Sequence, residues 1–378
     1  QVCLVEVGGT VGDIESLVFL EALRQLQGRV GASNICFVHV SLVPTVGSPG
    51  EQKTKPTQHS VKELRSMGLA PDVLICRSAG ALSGGTKEKL GLFCQVPPEA
   101  VLAVHDVPNI YHVPLMLHAQ GAVDIIAAKL ALRLPRVPVL DRWRGIADAV
   151  DSLTARVTIA LVGKYTGLTD SYLSVIKSLQ HAAIAARRRL VIDWVDATAL
   201  EVSVEATDKA TFDESWAAVR AADGVLVPGG FGDRGVEGKI AAIRYAREAK
   251  KPFLGICLGM QCAVIEYARN VLGLAGANSA EFEPRGPHPV VIFMPEISTT
   301  TMGGTMRLGA RPTHLRDHAD GSRSLAREVY GVDARVVWER HRHRYEVNEE
   351  YVPRLVAAGL AFVGTDDTRH RMEIVELP

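Results

Sequence analysis

Lys251-Pro-Phe-Leu-Gly-Ile-Cys-Leu-Gly-Met-Gln261 is the stretch of sequence that decides the fold. The apolar residues before Cys257 predict a buried strand, and residues 258–272 predict a helix that starts directly after the cysteine. Gly255 and Gly259 flank the cysteine two residues away on either side, which is the layout of a nucleophile elbow. The sequence therefore predicts an α/β unit in which a cysteine attacks an acyl group and forms a thioester.

The residues of this elbow each have a chemical reason. The helix that begins after Cys257 offers free N–H groups and a partial positive charge, and both favour thiolate over thiol. The N–H of Leu258 can donate to an oxyanion that forms during acyl transfer. A buried structural cysteine is the alternative interpretation, because free cysteine is among the most buried residue types.

Composition narrows the class of protein. The 378 residues predict two or three domains, and 42 basic residues balance 42 acidic ones. A formal net charge of zero gives no electrostatic reason to expect nucleic acid or a membrane surface as partner. No apolar run reaches the roughly 18 residues of a transmembrane helix. The six cysteines include no C-x-x-C pair, which favours a reducing, cytoplasmic location.

Apolar runs alternate with helical patterns along the chain, which predicts parallel sheets covered by helices. In the first half, strands are predicted at residues 2–7, 35–43 and 73–76, and helices at 14–26, 60–67 and 121–132. In the second half, strands are predicted at 157–162, 190–195, 224–227 and 252–256, with a helix at 170–186. We expect two three-layer α/β domains with mainly parallel sheets, at residues 1–134 and 156–378, joined by a proline-containing linker at 135–155.

Three further strings accompany the elbow: Val227-Pro-Gly-Gly-Phe-Gly232, Asn278-Ser-Ala-Glu-Phe282 and Arg340-His-Arg-His-Arg-Tyr-Glu-Val347. Together with the elbow they resemble class I glutamine amidotransferases. The resemblance implies that Cys257 attacks glutamine and that Gly230 belongs to the loop that supplies a second oxyanion donor. It also implies glutamine contacts for a set of residues around the elbow and in the later strings: Gly230, Leu258, Gly259, Met260, Gln261, Glu281 and Arg344, with Tyr345 close to the substrate.

The sequence contains no His-x-Glu, the pair that would serve as base and orienting carboxylate in such a site. His343 and Glu346 are three residues apart, so on a strand they would face opposite sides. We expect the histidine and glutamate of the triad to lie beyond Pro378.

Two strings in the first half carry phosphate and metal chemistry. Glu6-Val-Gly-Gly-Thr-Val-Gly-Asp-Ile-Glu-Ser16 places acidic residues at a predicted strand end, which suits Mg²⁺ carrying nucleotide phosphates. Lys53-Thr-Lys-Pro-Thr-Gln58 combines two lysines and two hydroxyls, a composition suited to a triphosphate. Taken singly, the first also fits a capped helix and the second an exposed basic loop.

With the elbow, these strings resemble the CTP synthase family over nearly the whole chain, and Met302-Gly-Gly-Thr-Met-Arg-Leu-Gly309 and Met372-Glu-Ile-Val-Glu-Leu377 match as well. The resemblance implies a first domain with a P-loop, dethiobiotin-synthetase-like amidoligase fold. It implies Glu6 as Mg²⁺ ligand, Arg77 and Asp106 near ATP, and Arg307 in activation by GTP. The implied UTP and CTP contacts are Asp13, Ile14, Glu15, Lys53, Thr54, Lys55, Pro56, Thr57, Gln58 and Lys89.

The resemblance further implies the reaction: a ligase that converts UTP, ATP and L-glutamine to CTP, ADP, phosphate and glutamate. CTP would inhibit it, GTP would activate it, and a homotetramer, with filament formation left open, would be its assembled form. A phosphate-binding loop and a second Mg²⁺ ligand are expected before Gln1. Two alternatives stay open: a class I glutaminase fused to another synthase, such as GMP synthase, and a nucleotide-sensing, polymer-forming module without catalysis.

Overall fold

The computed structural model describes residues 2–47, 50–134, 139–167, 169–294 and 306–378. The chain divides into two compact units, Gln1–Leu153 and Thr154–Pro378, here called unit 1 and unit 2. No helix in these ranges combines the length and the apolar character needed to cross a membrane.

Unit 1 is built on a parallel sheet in the order β1-β4-β5, with a short antiparallel ladder between β2 and β3. Its strands are β1 (Val38–Leu42), β2 (Thr45–Val46), β3 (Glu51–Gln52), β4 (Val73–Ser78) and β5 (Val101–His105). Its helices are α1 (Ile14–Val30), α2 (Lys55–Ser66), α3 (Gly84–Cys94), α4 (His112–Ala119), α5 (Ala122–Lys129) and α6 (Asp141–Ser152). The central strands read as apolar runs because helices cover the sheet, and Leu74, Leu90 and Val101 share one buried cluster.

Several apolar side chains of unit 1 remain exposed. The strand predicted at residues 2–7 is wrong: this segment has no strand partner in the described part of the chain, and Leu4 is 94% exposed. An apolar run becomes a strand only where a neighbour accepts its ladder of hydrogen bonds. The surface of α1 and the edge strand β1 also expose apolar side chains, among them Ile14, Phe19 and Val40.

The segment predicted as a linker contains helix α6 rather than an extended connection throughout. Trp143 donates its indole N–H to the Tyr111 carbonyl at 2.5 Å. Asp151 accepts from the Asn109 amide at 2.6 Å and pairs with His112 at 2.7 Å. Helix α6 therefore packs within unit 1.

Unit 2 has a four-stranded parallel sheet in the order β7-β6-β8-β9 and two further sheets. Its first strands are β6 (Arg156–Gly163), β7 (Arg189–Asp196), β8 (Gly224–Val227), β9 (Phe253–Gly255), β10 (Ala277–Ser279) and β11 (His288–Phe293). The later strands are β12 (Arg307–Leu315), β13 (Val336–His343), β14 (Tyr345–Val347), β15 (Ala361–Thr365) and β16 (Met372–Glu376). Its helices are α7 (Leu173–Ala185), α8 (Val202–Thr207), α9 (Lys209–Ala221), α10 (Val236–Glu248), α11 (Leu258–Asn270), α12 (Leu325–Tyr330) and α13 (Val352–Ala357).

The predicted α/β class with mainly parallel sheets is confirmed. The four-stranded antiparallel sheet β13-β12-β15-β16 is an addition that the sequence patterns did not predict. The main core of unit 2 joins the inner strands of the parallel sheet to helices α10 and α11, through residues such as Val227, Ile240 and Ile265. This core holds the start of α11, where Cys257 lies, against the end of β8.

Candidate functional site: a cysteine elbow and its surroundings

Cys257 occupies the turn between strand β9 and helix α11, as the sequence predicts. Its backbone has φ +53° and ψ −106° and stands at the N-cap position of the helix. A non-glycine residue in such a conformation is strained and persists only where the surrounding structure enforces it. Strain of this kind is typical of a nucleophile on a sharp strand-to-helix turn, where its side chain is exposed at the end of the sheet.

The flanking glycines are required by close backbone approaches. A Cβ on Gly259 would lie 2.1 Å from the Val227 carbonyl oxygen, and one on Gly255 would lie 2.6 Å from the Gly259 carbonyl carbon. A Cβ on Gly229 would come within 3.4 Å of the Cys257 Cβ. The first two separations are shorter than any carbon contact tolerates, so side chains at these positions would push the elbow apart. The loop at Gly229 is the part of the β8 end that comes nearest the nucleophile.

The charge around the Cys257 thiol differs from the sequence-based expectation of a favoured thiolate. The residue is exposed, yet the protein packed around its side chain raises the pKa of the thiol, and the Leu258 N–H opposes this shift. The Glu281 carboxylate raises the pKa of Cys257 further, because it disfavours a second negative charge nearby. The helix start therefore supplies a hydrogen bond to the sulfur without making the thiol strongly acidic.

The loop after β8 runs between the elbow and a buried lysine. A Cβ on Gly230 would lie 3.6 Å from Leu258 Cδ2 and 3.1 Å from Lys164 Cε. Lys164 Nζ donates to the carbonyls of Phe231 and Gly232, the latter at 3.0 Å. Sequence reasoning missed Lys164, although it directly follows β6 at the carboxyl edge of a parallel sheet, where ligand sites of open α/β sheets lie.

Glu281 lies beside this loop, because its Oε1 accepts from the Gly232 N–H at 3.2 Å. Its charge also raises the pKa of Tyr345, so Glu281 stands close to both Cys257 and Tyr345. The neighbouring Arg344 has a buried Nε without a hydrogen-bond partner among the described residues. The structure thus brings together Cys257, Glu281 and Tyr345, three residues that the sequence singled out, and Arg344 directly precedes Tyr345 in the chain.

The residues that follow the nucleophile are mostly built into helix α11. Leu258, Gly259 and Gln261 are buried, and Met260 is half-buried. Gln261 donates its amide to the Tyr345 carbonyl at 3.0 Å, which ties helix α11 to strand β14. In this arrangement the Gln261 side chain stabilises the segment that contains Arg344 and Tyr345.

His343 and Glu346 do not form a base and its orienting carboxylate. His343 Nδ1 lies 3.2 Å from the Tyr345 carbonyl oxygen, and its Nε2 lies 3.2 Å from His341 Nδ1. Burial lowers the pKa of His343 to about 4, and His341 adds to this shift. Burial raises the pKa of Glu346 to about 7, and this carboxylate stands 3.0 Å from Arg371. Each residue is engaged with partners other than the nucleophile.

In unit 1, the acidic string lies at the start of α1. Asp13 precedes the helix and its carboxylate accepts from the Thr10 N–H at 2.8 Å, so Asp13 closes a turn. Glu6, Ile14 and Glu15 are exposed. A side chain at Ile14 or Glu15 is thus available to a ligand, whereas Asp13 already has a backbone partner.

The basic string leads into the first turn of α2, which begins at Lys55, and its members differ in accessibility. Thr54 and Thr57 are buried; Gln58 donates to the Thr54 hydroxyl at 3.0 Å, and Ser41 donates to the Thr57 hydroxyl at 2.9 Å. Lys55 and Pro56 are exposed. The two lysines, rather than the two threonine side chains, face outward in this conformation.

The structure places Lys53 and Lys89 near one carboxylate. Lys53 Nζ stands 2.6 Å from Glu51, and Lys89 on α3 also lowers the pKa of Glu51, after the larger effect of Lys53. Two cations that the sequence assigned to one triphosphate site therefore both act on the Glu51 carboxylate.

The remaining predicted contacts are ion pairs. Arg77 pairs with Asp106 at 3.0 Å at the surface of unit 1. Arg307 pairs with Glu373 at 2.7 Å, and both side chains are nearly buried. The second pair joins β12 to β16 and supports the antiparallel sheet.

The described residues contain no group of three or more His, Cys, Asp or Glu side chains arranged to hold a metal ion. Mg²⁺ is commonly held by one or two carboxylates together with substrate phosphates. The exposed carboxylate of Glu6 fits a Mg²⁺ ion that is held jointly by protein and nucleotide phosphates. It does not fit a metal site made of protein ligands alone.

Comparison with known proteins gives the family. The family described as "CTP synthase N-terminus" matches residues 1–132, and "Glutamine amidotransferase class-I" matches residues 167–378. Over its whole length the chain is 54% identical to the CTP synthase of Dictyostelium discoideum and 53% identical to human CTP synthase 1. It covers 68% and 63% of those two proteins and 58% of the CTP synthase of Drosophila pseudoobscura pseudoobscura, so it spans about two thirds of its relatives or less.

A solved structure supports the fold of unit 2. The glutaminase domain of a Trypanosoma brucei CTPS, solved with bound acivicin, is 41% identical, with a TM-score of 0.52. The match covers 59% of this chain and 81% of that domain. The identity over the whole chain and the two family matches lead to one conclusion: this chain belongs to the CTP synthase family, whose members are ligases that use glutamine as amide donor.

Proposed function

We propose that the protein containing this chain aminates UTP to CTP at the expense of ATP, with ammonia released from L-glutamine. The observation that carries the proposal is the elbow of Cys257, strained at φ +53° and bordered by Glu281 and the glycine loop. In unit 1, Lys53 and Lys89 both act on the Glu51 carboxylate, which supports a nucleotide-phosphate site there.

In the glutaminase step, the Cys257 sulfur attacks the side-chain amide carbon of glutamine. Charge moves to the amide oxygen, which the N–H of Leu258 and an N–H of the loop at Gly230 stabilise. The amide nitrogen leaves as ammonia, and water then hydrolyses the thioester to glutamate. Glu281 is suited to the ammonium of the substrate and Arg344 to its carboxylate. A general base, by the family resemblance a histidine, would move the protons.

In the synthase step, ATP phosphorylates O4 of UTP, and ammonia then displaces that phosphate at C4. Lys53, Lys55 and Lys89 would bind the UTP or CTP triphosphate, and residues 13–15 would bind the cytosine end of CTP. Mg²⁺, held by Glu6 and nucleotide phosphates, would offset charge during phosphoryl transfer. Ammonia must travel from Cys257 without release, because in water at neutral pH it becomes ammonium, which is not a nucleophile.

Regulation and assembly extend the proposal. Inhibition by CTP, activation by GTP through Arg307, a homotetramer and a cytoplasmic location rest on the family resemblance. The buried pair between Arg307 and Glu373 supports an indirect role for Arg307, since it holds β12 to β16. The proposed domains are residues 1–134 and 156–378.

The test separates the two half-reactions in the full-length protein. Cys257→Ala should abolish CTP formation from glutamine and leave CTP formation from ammonium chloride within about twofold of wild type. Cys3→Ala removes another exposed cysteine and should leave both rates unchanged. Equal loss of both rates in Cys257→Ala would contradict the proposed division of labour.

A nucleotide-sensing module without catalysis is the second candidate, favoured by the two lysines of unit 1 that act on the Glu51 carboxylate. Isothermal titration with UTP, CTP and GMP, together with the rates above, distinguishes the candidates. Binding of UTP and CTP with no turnover of glutamine or ammonia would support the sensing module. The absence of pyrimidine nucleotide binding would exclude both.

A further inference from the structure

Lys164 is a buried cation that holds main-chain atoms of the glycine loop. Only 6% of the residue is exposed, and its ammonium donates to two consecutive carbonyls, those of Phe231 and Gly232. Its own backbone is fixed in turn, because its N–H donates to the Tyr172 hydroxyl at 3.2 Å and its carbonyl accepts from Arg234. Lys164 is therefore a fixed support for the main chain of this loop.

One peptide group of the loop is held at both ends. In a trans peptide the C=O and the N–H point in opposite directions. The peptide between Phe231 and Gly232 directs its C=O to Lys164 and its N–H to Glu281 Oε1, 3.2 Å away. Rotation of this peptide would break both contacts and leave a buried ammonium with fewer acceptors, which is unfavourable.

The same peptide connects Lys164 to Glu281. Glu281 acts on the pKa values of both Cys257 and Tyr345, so its carboxylate lies near the nucleophile. The Gly232 N–H is a fixed donor to this carboxylate. Burial and Arg234 lower the pKa of Lys164, whereas Glu281 raises it. The Lys164 ammonium is therefore buried with a positive and a negative side chain close enough to affect it.

We propose that Lys164 is a positioning residue of the glutaminase site: through the Phe231–Gly232 peptide it fixes the loop beside Cys257 and the orientation of Glu281. This inference rests on the proposed function and adds to it a residue that does not contact glutamine. It predicts that the loop and Glu281 lose their alignment together when the lysine ammonium is removed.

The test compares Lys164→Met, Lys164→Arg and Lys251→Met in the full-length protein, with ATP and UTP present and no GTP added. Lys251 is the matched control, because its ammonium also donates to two main-chain carbonyls of unit 2, those of Arg220 and Ala222. For Lys164→Met we expect kcat/KM for glutamine to fall at least about tenfold. This is less than the loss of a direct oxyanion donor would cause, because Lys164 acts through the loop. Lys164→Arg, which keeps donors, should recover part of this loss, and Lys251→Met should stay within about twofold of wild type.

A double-mutant cycle with Glu281→Gln tests the coupling. Since Lys164 acts through Glu281, Glu281→Gln should raise KM for glutamine less in the Lys164→Met background than in wild type. CTP formation from ammonium chloride and alkylation of Cys257 by iodoacetamide, neither of which needs the glycine loop, should change less than about threefold. If Lys164→Met does not fold, Lys164→Gln, whose shorter side chain withdraws from both carbonyls, takes its place in the cycle.

The outcomes separate the two proposals. An unchanged kcat/KM in Lys164→Met, or strictly additive effects with Glu281→Gln, would overturn the positioning role while wild-type activity upholds the proposed function. An equal loss of the ammonia-dependent rate would show general destabilisation and overturn the role as well. A wild-type protein that forms no CTP from either nitrogen source would overturn both.

Discussion

At the scale of single residues, the Cys257 thiol is controlled by a hydrogen bond and by a like charge. The Leu258 N–H lowers its pKa, whereas protein packing and Glu281 raise it. Glu281 therefore has two opposing effects on the reaction. Its carboxylate is suited to the substrate ammonium, but it also disfavours the thiolate of Cys257 in the free protein. Bound glutamine would neutralise that carboxylate, so the thiol would become more acidic when the substrate is present.

Glu281→Gln should make Cys257 more reactive while it impairs turnover. Loss of the negative charge lowers the thiol pKa, which increases the thiolate fraction at pH 8, and the thiolate is the reactive species. We expect alkylation of Cys257 by iodoacetamide to accelerate about twofold or more. The rate is measured by mass spectrometry of the peptide that contains Cys257. Glu283→Gln, two residues away, serves as control, and equal rates in both variants would contradict the electrostatic role.

His343 should make unit 2 less stable in mild acid. Its pKa is about 4 in the folded chain against 6.5 without the protein environment, so unfolding takes up a proton between these values. Its contribution to stability is present above pH 6.5 and is lost as the pH falls towards 4, by at most about 3 kcal/mol at about 1.4 kcal/mol per unit. Urea unfolding from pH 7 to 4 should show a shallower loss for His343→Gln than for wild type.

Glu346 acts in the opposite sense, and the comparison must allow for it. Its pKa is about 7 in the folded chain against 4.5, so its contribution is lost as the pH rises from 4.5 to 7. The single substitution at His343 leaves that contribution in place. His181→Gln, which changes an exposed histidine of unit 2, should keep the wild-type slope, and identical slopes for all three proteins would disprove the assignment.

At the scale of elements, the elbow depends on the contact between strand β8 and helix α11. Gly259 lies against the Val227 carbonyl, and main-chain atoms on both sides leave no flexible atom to move aside. The position of Cys257 is therefore fixed by the packing of helix α11 against strand β8 of the sheet.

Gly259→Ala should destabilise unit 2 and abolish glutamine hydrolysis. Its Cβ would lie 2.1 Å from the Val227 oxygen, and overpacking of this kind costs about 1–3 kcal/mol or more. Gly167→Ala is the matched control, because a Cβ there meets nothing within 4 Å. Urea unfolding and glutaminase assays check both, and a wild-type midpoint for Gly259→Ala would show that the backbone can yield.

Element prediction succeeded where apolar runs are central and failed at the sheet margins. Strand β8 has the predicted bounds, and β6, β7, β9 and α11 agree to within a few residues. The buried strand β5 was missed, and residues 2–7 have no strand partner in the part of the chain that the structure describes. Strand β13 carries most of the basic string that starts at Arg340; only its pairing with β12 shows that it is part of a sheet.

The candidate site was predictable where one short string carries the chemistry. Cys257, Leu258 and the glycines belong to such a string, and Glu281, Arg344 and Tyr345 came from a resemblance. Lys164 was not predictable from spacing, since it acts on a loop 67 and 68 residues later in the chain. Its partners are main-chain atoms, which leave no trace in the residue types.

At the scale of the whole molecule, the chain consists of two units with separate hydrophobic clusters. Units with their own cores unfold as separate cooperative transitions unless a large interface couples them. Calorimetry should resolve two transitions, and Gly259→Ala should lower the midpoint of only one. A single transition that shifts as a whole would show that the units unfold together.

The exposed apolar side chains of α1 and β1 have a practical consequence for handling the protein in solution. The chain has a formal net charge of zero and an isoelectric point near 7.3, so near neutral pH little charge repulsion keeps molecules apart. An apolar edge strand such as β1, with Val38, Val40 and Leu42 exposed, is a template for pairing between chains. Solubility of this chain should therefore pass through a minimum near pH 7, and light scattering should show less association at pH 9 than at pH 7.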